Sequence, residues 1–319
     1  MRVSSRGARF QEWAALLGNR SKRQRRGEFI VQGVRPITLA VRHGWPVREL
    51  LYNADAALSR WARETQEAAA RAASVAVSAD LMAELGGKDE GVPELLAVVA
   101  LPADELSRIP AGPRLLAVVF DRPASPGNIG TLIRSADAFG ASGVIVTGHA
   151  ADVYDPRSVR ASTGSLFALP VVRAPSHRPV LDWAAALRAA GTAVAVVGAD
   201  ENGGRDAADV DLTGPTLLLI GNEATGLTAG WRDGCDELAR IPMRGAASSL
   251  NAATAASVLL YESARQRIAA GRLAPARARA AGLPQRDRDG PGGGRQRDDA
   301  CGQVEGARAG PGDISDERR

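Results

Sequence analysis

The chain has 319 residues, 45% hydrophobic and 24% charged, a balance ordinary for a globular protein and long enough for two domains with separate cores. No run reaches the roughly 18 apolar residues that span a bilayer, and the arginine-bearing N-terminus lacks the apolar stretch of a secretory leader, so a cytoplasmic protein without membrane contact is expected. Cys235, Cys301, His43, His149 and His177 are too scattered for a disulfide framework or a metal site, so no metal is expected, and the net charge of +4 is modest but unevenly placed.

The first predicted element is a helix over residues 9–19, where Phe10, Trp13, Leu16 and Leu17 recur at helical spacing. Residues 1–35 gather Arg2, Arg6, Arg9, Arg20, Lys22, Arg23, Arg25, Arg26 and Arg35 against Glu12 and Glu28. Such a cluster suits a polyanion, with nucleic acid the leading candidate, although a solvated helix end has the same composition. Strands are predicted over 28–31, 47–52, 74–77 and 95–101, and helices over 34–42 and 55–72, the latter with Asp55 near its cap. These make a small α/β unit. Residues 102–113, with Pro102, Pro110 and Pro113, form the predicted linker.

The second unit starts at Arg114 with Leu115-Leu116-Ala117-Val118-Val119-Phe120, an apolar run suited to a buried parallel strand. Further strands are predicted over 143–147, 168–172, 193–197 and 215–220, with a short one over 238–241. Helices over 127–139, 178–190 and 249–270 alternate with them. This alternation predicts a mostly parallel sheet with helices on both faces. From about Gly271 the pattern stops, and the interleaved Arg, Asp and Gly of residues 272–319 predict a disordered tail.

Three segments stand where a predicted strand ends or a helix begins, the usual place for ligands in open α/β sheets. Asp121-Arg122-Pro123-Ala124-Ser125-Pro126-Gly127-Asn128 turns into a helix that carries Arg134. The strand over 215–220 runs directly into Gly221-Asn222-Glu223, where glycine permits close approach to the backbone. Ile241-Pro242-Met243-Arg244-Gly245 is a loop, Ser248 or Ser249 is a good N-cap, and Asn251 falls in the first turn of the next helix. Taken singly, each has a plain structural reading. Arg134 suits a solvated helix face, Glu223 a turn carboxylate that caps the following helix, and the alanines after Asn251 a packing helix.

In this order, Asn128-Ile129-Gly130-Thr131-Leu132-Ile133-Arg134, Gly221-Asn222-Glu223-Ala224-Thr225-Gly226-Leu227 and Ser248-Ser249-Leu250-Asn251-Ala252-Ala253-Thr254-Ala255-Ala256 closely resemble the three motifs of the SpoU (TrmH-type) RNA ribose methyltransferases. The resemblance covers 114–270 strongly. It extends weakly over 25–100, where Gly27-Glu28-Phe29-Ile30-Val31-Gln32-Gly33-Val34-Arg35 looks like the start of the small substrate-binding domain of the two-domain ribosomal RNA enzymes.

The resemblance implies an RNA substrate-binding domain at 1–108 and a methyltransferase domain at 113–271. It also implies a C-terminal trefoil knot, a homodimer and S-adenosylmethionine as cofactor. The implied activity is 2′-O-methylation of a ribose in RNA, with ribosomal RNA favoured over transfer RNA. A non-catalytic RNA-binding or ribosome-assembly protein on the same fold is the other reading. The motif positions that carry over as catalytic are Arg134, Asn128, Glu223, Ser249 and Asn251. Those that carry over to cofactor binding are Gly198, Gly221, Ile241 and Leu250. Arg134 is the base in the family's proposed mechanism. Because arginine stays protonated in proteins, a guanidinium that grips a phosphate and stabilises the forming oxyanion is the easier role. Arg23, Arg25, Arg26 and Arg35 are the expected RNA contacts, and changing the first three to glutamine is expected to weaken RNA binding.

Overall fold

The computed structural model describes residues 2–87 and 91–273. Its first part runs β1 (Arg2–Val3), α1 (Ala8–Gly18), α2 (Arg20–Arg26), β2 (Glu28–Gln32), α3 (Val34–Arg42), β3 (Val47–Asn53), α4 (Arg60–Ala68), β4 (Ala73–Val77), α5 (Ala79–Gly86) and β5 (Leu95–Ala100). The strands form a sheet in the order β1-β4-β3-β5-β2, with β5 antiparallel to both neighbours and the other pairs parallel. Alternation along the strands separates two faces. Ile30, Leu51 and Val98 pack with Phe10, Trp13 and Leu16 of α1, while Phe29, Val31, Leu50 and Val99 face a core that continues into the second part.

The second part runs β6 (Leu116–Asp121), α6 (Pro126–Ala138), β7 (Gly143–Thr147), α7 (Pro156–Ala161), β8 (Val171–Ala174), α8 (His177–Ala189), β9 (Ala195–Ala199), β10 (Arg205–Asp206), β11 (Thr216–Ile220), α9 (Ala229–Arg232), β12 (Glu237–Arg240) and α10 (Ala252–Ala269). Every pairing in this sheet is parallel, in the order β10-β12-β9-β11-β6-β7-β8. Leu116, Val118 and Phe120 pack under α6 and α10; Leu115, Ala117 and Val119 pack under α8 and Trp231 of α9. The expected two-faced sheet is therefore present. The chain moves one way from β6 to β8 and returns to lay β11 between β9 and β6. That reversal sets the C-terminal ends of β6 and β11, which lead into the first two segments, side by side. Near the end of α10, buried Arg267 donates to the carbonyls of Arg114, Leu115, Leu212 and Gly214 and so ties the helix to the strand starts. Burial, reinforced by nearby Arg272, pushes its pKa down to about 10, which still leaves it charged at neutral pH.

Several expected boundaries move for identifiable reasons. The helix expected over 55–72 is only α4, capped by Ser59. Asp55 instead accepts hydrogen bonds from Arg2 and from the Ala79 N–H. The strand expected over 168–172 is displaced to β8 by a 3-10 turn at Ser165–Phe167, and the one expected over 193–197 is β9, which starts two residues later. The basic stretch is helix α2, which no apolar period announces: Asn19 caps it, and Gly27 ends it at φ 65°. Helix α5 was also not expected. Apart from Arg272 and Leu273, the expected disordered tail lies outside the described residues. Among the described residues no helix is long and apolar enough to cross a membrane.

A shared core joins the two sheets. Phe29 meets Tyr154 at 4.8 Å and lies parallel to Phe167 at 6.2 Å, and the edge of Trp45 meets Phe167 at 5.0 Å while its indole N–H donates to the Phe167 carbonyl. Full burial of a ring such as Phe29 or Phe167 contributes about 1.5–3 kcal/mol. Helix α2 lies on this seam. Arg23, 2% exposed, donates to the Asp152 carboxylate and to the carbonyls of Leu16 and Leu17, and Arg20 donates to the Ala150 carbonyl. Arg35 donates to the carbonyl of Thr163, a residue at φ 49°. The expectation that Arg23 contacts RNA is therefore corrected, because its guanidinium is spent inside the protein. Arg26, though exposed, is paired with Glu12 and Glu28, and Arg25 and Lys22 are exposed on the same helix.

Candidate functional site

A cleft of ≈ 460 Å³ lies at the C-terminal ends of β9, β11 and β12, within the size range of small-molecule sites. Three chain segments wall it: 199–201 after β9, 220–227 after β11, and 241–255, which leads into α10. Apolar Ile220, Leu227, Ile241 and Leu250 line it together with the carboxylates of Asp200, Glu201 and Glu223. Asp200, nearly buried, is paired with Arg232 at 2.8 Å. A slot with apolar walls and an acidic rim suits a ligand that carries a flat apolar group and positive charge.

The loop after β11 is closed on itself. The backbones of Asn222 and Gly226 exchange hydrogen bonds, and the Asn222 side-chain oxygen accepts from the N–H groups of Ala224 and Thr225. A Cβ on Gly221 would lie 2.4 Å from the Gly226 carbonyl carbon, so only glycine fits there. The tight closure projects Glu223 towards the start of α6. There its carboxylate accepts from Asn128 Nδ2 at 2.9 Å and from the Ala124 N–H at 3.1 Å. Asn128 Oδ1 in turn accepts from Asn251 Nδ2 at 3.2 Å. Partial burial works against the charged carboxylate, but the hydrogen bonds from Asn128 and from the backbone at 124–125 outweigh it and hold Glu223 below the usual glutamate range.

Asn128, Glu223 and Asn251 thus form one chain of hydrogen bonds across all three segments. Asn251 is itself the N-cap of α10 and accepts from the N–H groups of Ala253 and Thr254. It takes the capping role expected of Ser248 or Ser249, and the helix begins at Ala252 instead of 249. Ser249, Gly221, Ile241 and Leu250 line the cleft. Gly198 lies beneath it, where a Cβ would strike Cys235, Leu238 and Leu227; Ala199 and Asp200 occupy the wall position expected of it. Arg134 does not line the cleft. It is exposed on α6, six residues beyond Asn128, about 9 Å along the helix axis. Sequence reasoning missed Arg122, Asn222, Asp200 and Glu201. Arg122 and Asn222 lay within the quoted segments, but a strand-ending arginine and a turn asparagine have no distinguishing spacing.

Comparison with known proteins gives concordant matches. Residues 7–97 match the SpoU L30e-like domain, and residues 115–261 match the SpoU rRNA Methylase family. A 23S rRNA (uridine(2479)-2′-O)-methyltransferase of Streptomyces viridochromogenes is 62% identical over 273 residues, 86% of this chain and 94% of the relative. The crystal structure of the SpoU methyltransferase AviRb from that organism, in complex with AdoMet, superposes with a TM-score of 0.79 at 62% identity, covering 82% of this chain and 99% of that one. An AdoMet-bound rRNA methyltransferase from Sinorhizobium meliloti superposes with a TM-score of 0.74 at 29% identity, covering 83% and 97%.

Proposed function

The chain belongs to the SpoU rRNA methylase family, and from that premise we propose that it transfers a methyl group from S-adenosylmethionine to a ribose 2′-hydroxyl of ribosomal RNA in the cytoplasm. Likeness to the Streptomyces relative makes a uridine of 23S rRNA the leading target. The observation that carries this reading is the Asn251–Asn128–Glu223 chain, which ties the three segments together at the mouth of the cleft. The cleft fits the cofactor chemically: its apolar walls suit an adenine, and its acidic rim suits a sulfonium and an ammonium group. Gly221, Ile241 and Leu250 would hold the cofactor through backbone and apolar contacts. When bound, the cofactor supplies an activated methyl group.

The remaining work is alignment and charge stabilisation. Glu223 keeps the loop after β11 fixed against α6, Asn128 relays that position to Asn251, and Ser249 faces the cleft from the third segment. Arg134, with no carboxylate partner among the described residues, is free to grip an RNA phosphate and to stabilise negative charge developing on the ribose oxygen. Residues 1–108 act as the substrate-binding domain, with Lys22, Arg25 and Arg35 at or near the seam between the sheets. Residues 113–271 act as the methyltransferase domain. The knot belongs to the same proposal. It is supported by the way residues 241–251 share one cleft with 199–201 and 220–227 before α10 begins.

The proposal includes a homodimer. Thr254, Val258, Tyr261, Arg265 and Ile268 form an exposed stripe along α10, and large apolar residues on such a face call for a partner. Tyr261 and Phe139, the residue that ends α6, meet edge-to-face at 6.0 Å, so a second copy seated there would adjoin the helix that carries Arg134. Tyr261→Arg is expected to shift the protein from dimer to monomer in sedimentation analysis at micromolar concentration. Unchanged mass would remove this face from the interface.

The activity itself is tested by incubating unmodified 23S rRNA, and separately transfer RNA, with the protein and S-adenosylmethionine, followed by nucleoside mass spectrometry. New 2′-O-methyluridine in the 23S fraction is expected. Product in transfer RNA alone would reassign the substrate, and cofactor binding without any product would point to a non-catalytic RNA-binding protein.

A further inference from the structure

Arg122 stands at the end of β6 with φ 48°, a left-handed conformation that glycine adopts freely and arginine does not. Its side chain is engaged on three sides. Nε donates to the Asp121 carboxylate at 3.0 Å, and Nη2 donates to the Thr225 hydroxyl at 3.3 Å and to the Gly226 carbonyl at 3.2 Å. Its own carbonyl accepts from Asn222 Nδ2 at 2.7 Å. Asp121 is buried and held in turn by the Thr147 hydroxyl at 3.0 Å. Gly148 gives the aliphatic stem room: a Cβ there would lie 2.7 Å from Arg122 Cγ.

Arg122 therefore braces the 222–226 loop from β6, through both a side-chain fork and a backbone carbonyl. The loop's other anchor is Glu223, which reaches to α6. We propose that Arg122 is a positioning residue for S-adenosylmethionine: its guanidinium and strained backbone hold the Asn222–Gly226 loop in the shape that forms one wall of the cleft. It acts through the loop and does not line the cleft itself. The strain is the informative part. A glycine would adopt this backbone without steric strain, so the side chain's contacts are what retain arginine in a conformation it resists. Lysine cannot substitute fully, because a single nitrogen does not serve a carboxylate, a hydroxyl and a carbonyl in one plane.

This inference rests on the proposed cofactor use, and the experiment separates the two. S-Adenosylmethionine binding is measured by calorimetry on wild type, Arg122→Gly, Arg122→Lys, Thr225→Val and the Arg122→Gly/Thr225→Val pair, with thermal midpoints alongside. Arg122→Gly is expected to raise the dissociation constant about tenfold, with a thermal midpoint within about 3 °C of wild type, because relief of strain offsets the lost hydrogen bonds. Arg122→Lys is expected to recover part of the affinity, and Thr225→Val to add little once Arg122 is gone. Wild-type affinity in Arg122→Gly, or a loss of affinity only in step with a lowered midpoint, would overturn the positioning role. Failure of the wild type to bind would overturn the cofactor reading and this inference with it.

Discussion

Replacing Arg134 with alanine is expected to lower methyl transfer by about 10²–10³ while leaving the dissociation constant for S-adenosylmethionine unchanged. The two halves of that expectation have separate origins. Arg134 lies outside the cleft, so removing it takes nothing from the cofactor. Its guanidinium is exposed and has no carboxylate partner among the described residues, so its charge is available to a phosphate and to a forming oxyanion. Arg134→Lys should regain only part of the rate, since an ammonium lacks the planar fork. Single-turnover transfer of labelled methyl, with cofactor affinity measured on the same preparations, reads both quantities. The proposed homodimer also predicts complementation. Arg134→Ala, slowed for want of the guanidinium, should regain turnover when assembled with a Leu250→Arg subunit whose own cleft is blocked. Recovery requires that the arginine of one subunit serve the cleft of the other. A mixed dimer as inactive as its parents would confine the arginine to its own chain.

Arg23→Gln is expected to destabilise the protein by about 3–5 kcal/mol, because it strands the Asp152 carboxylate in a buried seam. The guanidinium meets Asp152 at 2.7 Å with both side chains almost wholly covered, and it also satisfies two carbonyls of α1. Arg25→Gln, two residues on, on the opposite side of the helix and exposed, should fall within about 0.5 kcal/mol of wild type. The Arg23→Met/Asp152→Asn pair should lose less than Arg23→Gln alone, since no unpaired charge remains. Denaturant midpoints on the four proteins decide the matter. An Arg23→Gln midpoint equal to that of Arg25→Gln would return Arg23 to the surface cations. The functional consequence concerns RNA: weaker binding by Arg23→Gln would follow from a loosened seam, whereas weaker binding by Arg25→Gln would report a lost phosphate contact.

The sequence alone was enough for elements whose burial is uniform or repeats regularly along their length. The apolar run of β6, the alternation of strands and helices after it, and the helical period of α1 each follow from local burial, which a residue pattern records directly. The three segments were legible for a related reason: glycine, asparagine and serine at strand ends and helix starts are dictated by backbone geometry within a few residues. Local pattern could not say that Asn251 rather than Ser249 caps α10, since either side chain is a good cap until the loop's path is set. Nor could it divide the arginines of α2. Arg23 and Arg25 are two positions apart with the same chemistry, and only the approach of Asp152, 129 residues later, makes one a buried structural charge and leaves the other in water. The brace from Arg122 to Gly226 spans 104 residues and the Asn128–Glu223 contact 95. Such pairings belong to the order in which strands are laid into the sheet, because a hydrogen bond is specified by where two groups meet in space and not by the residues beside them in the chain.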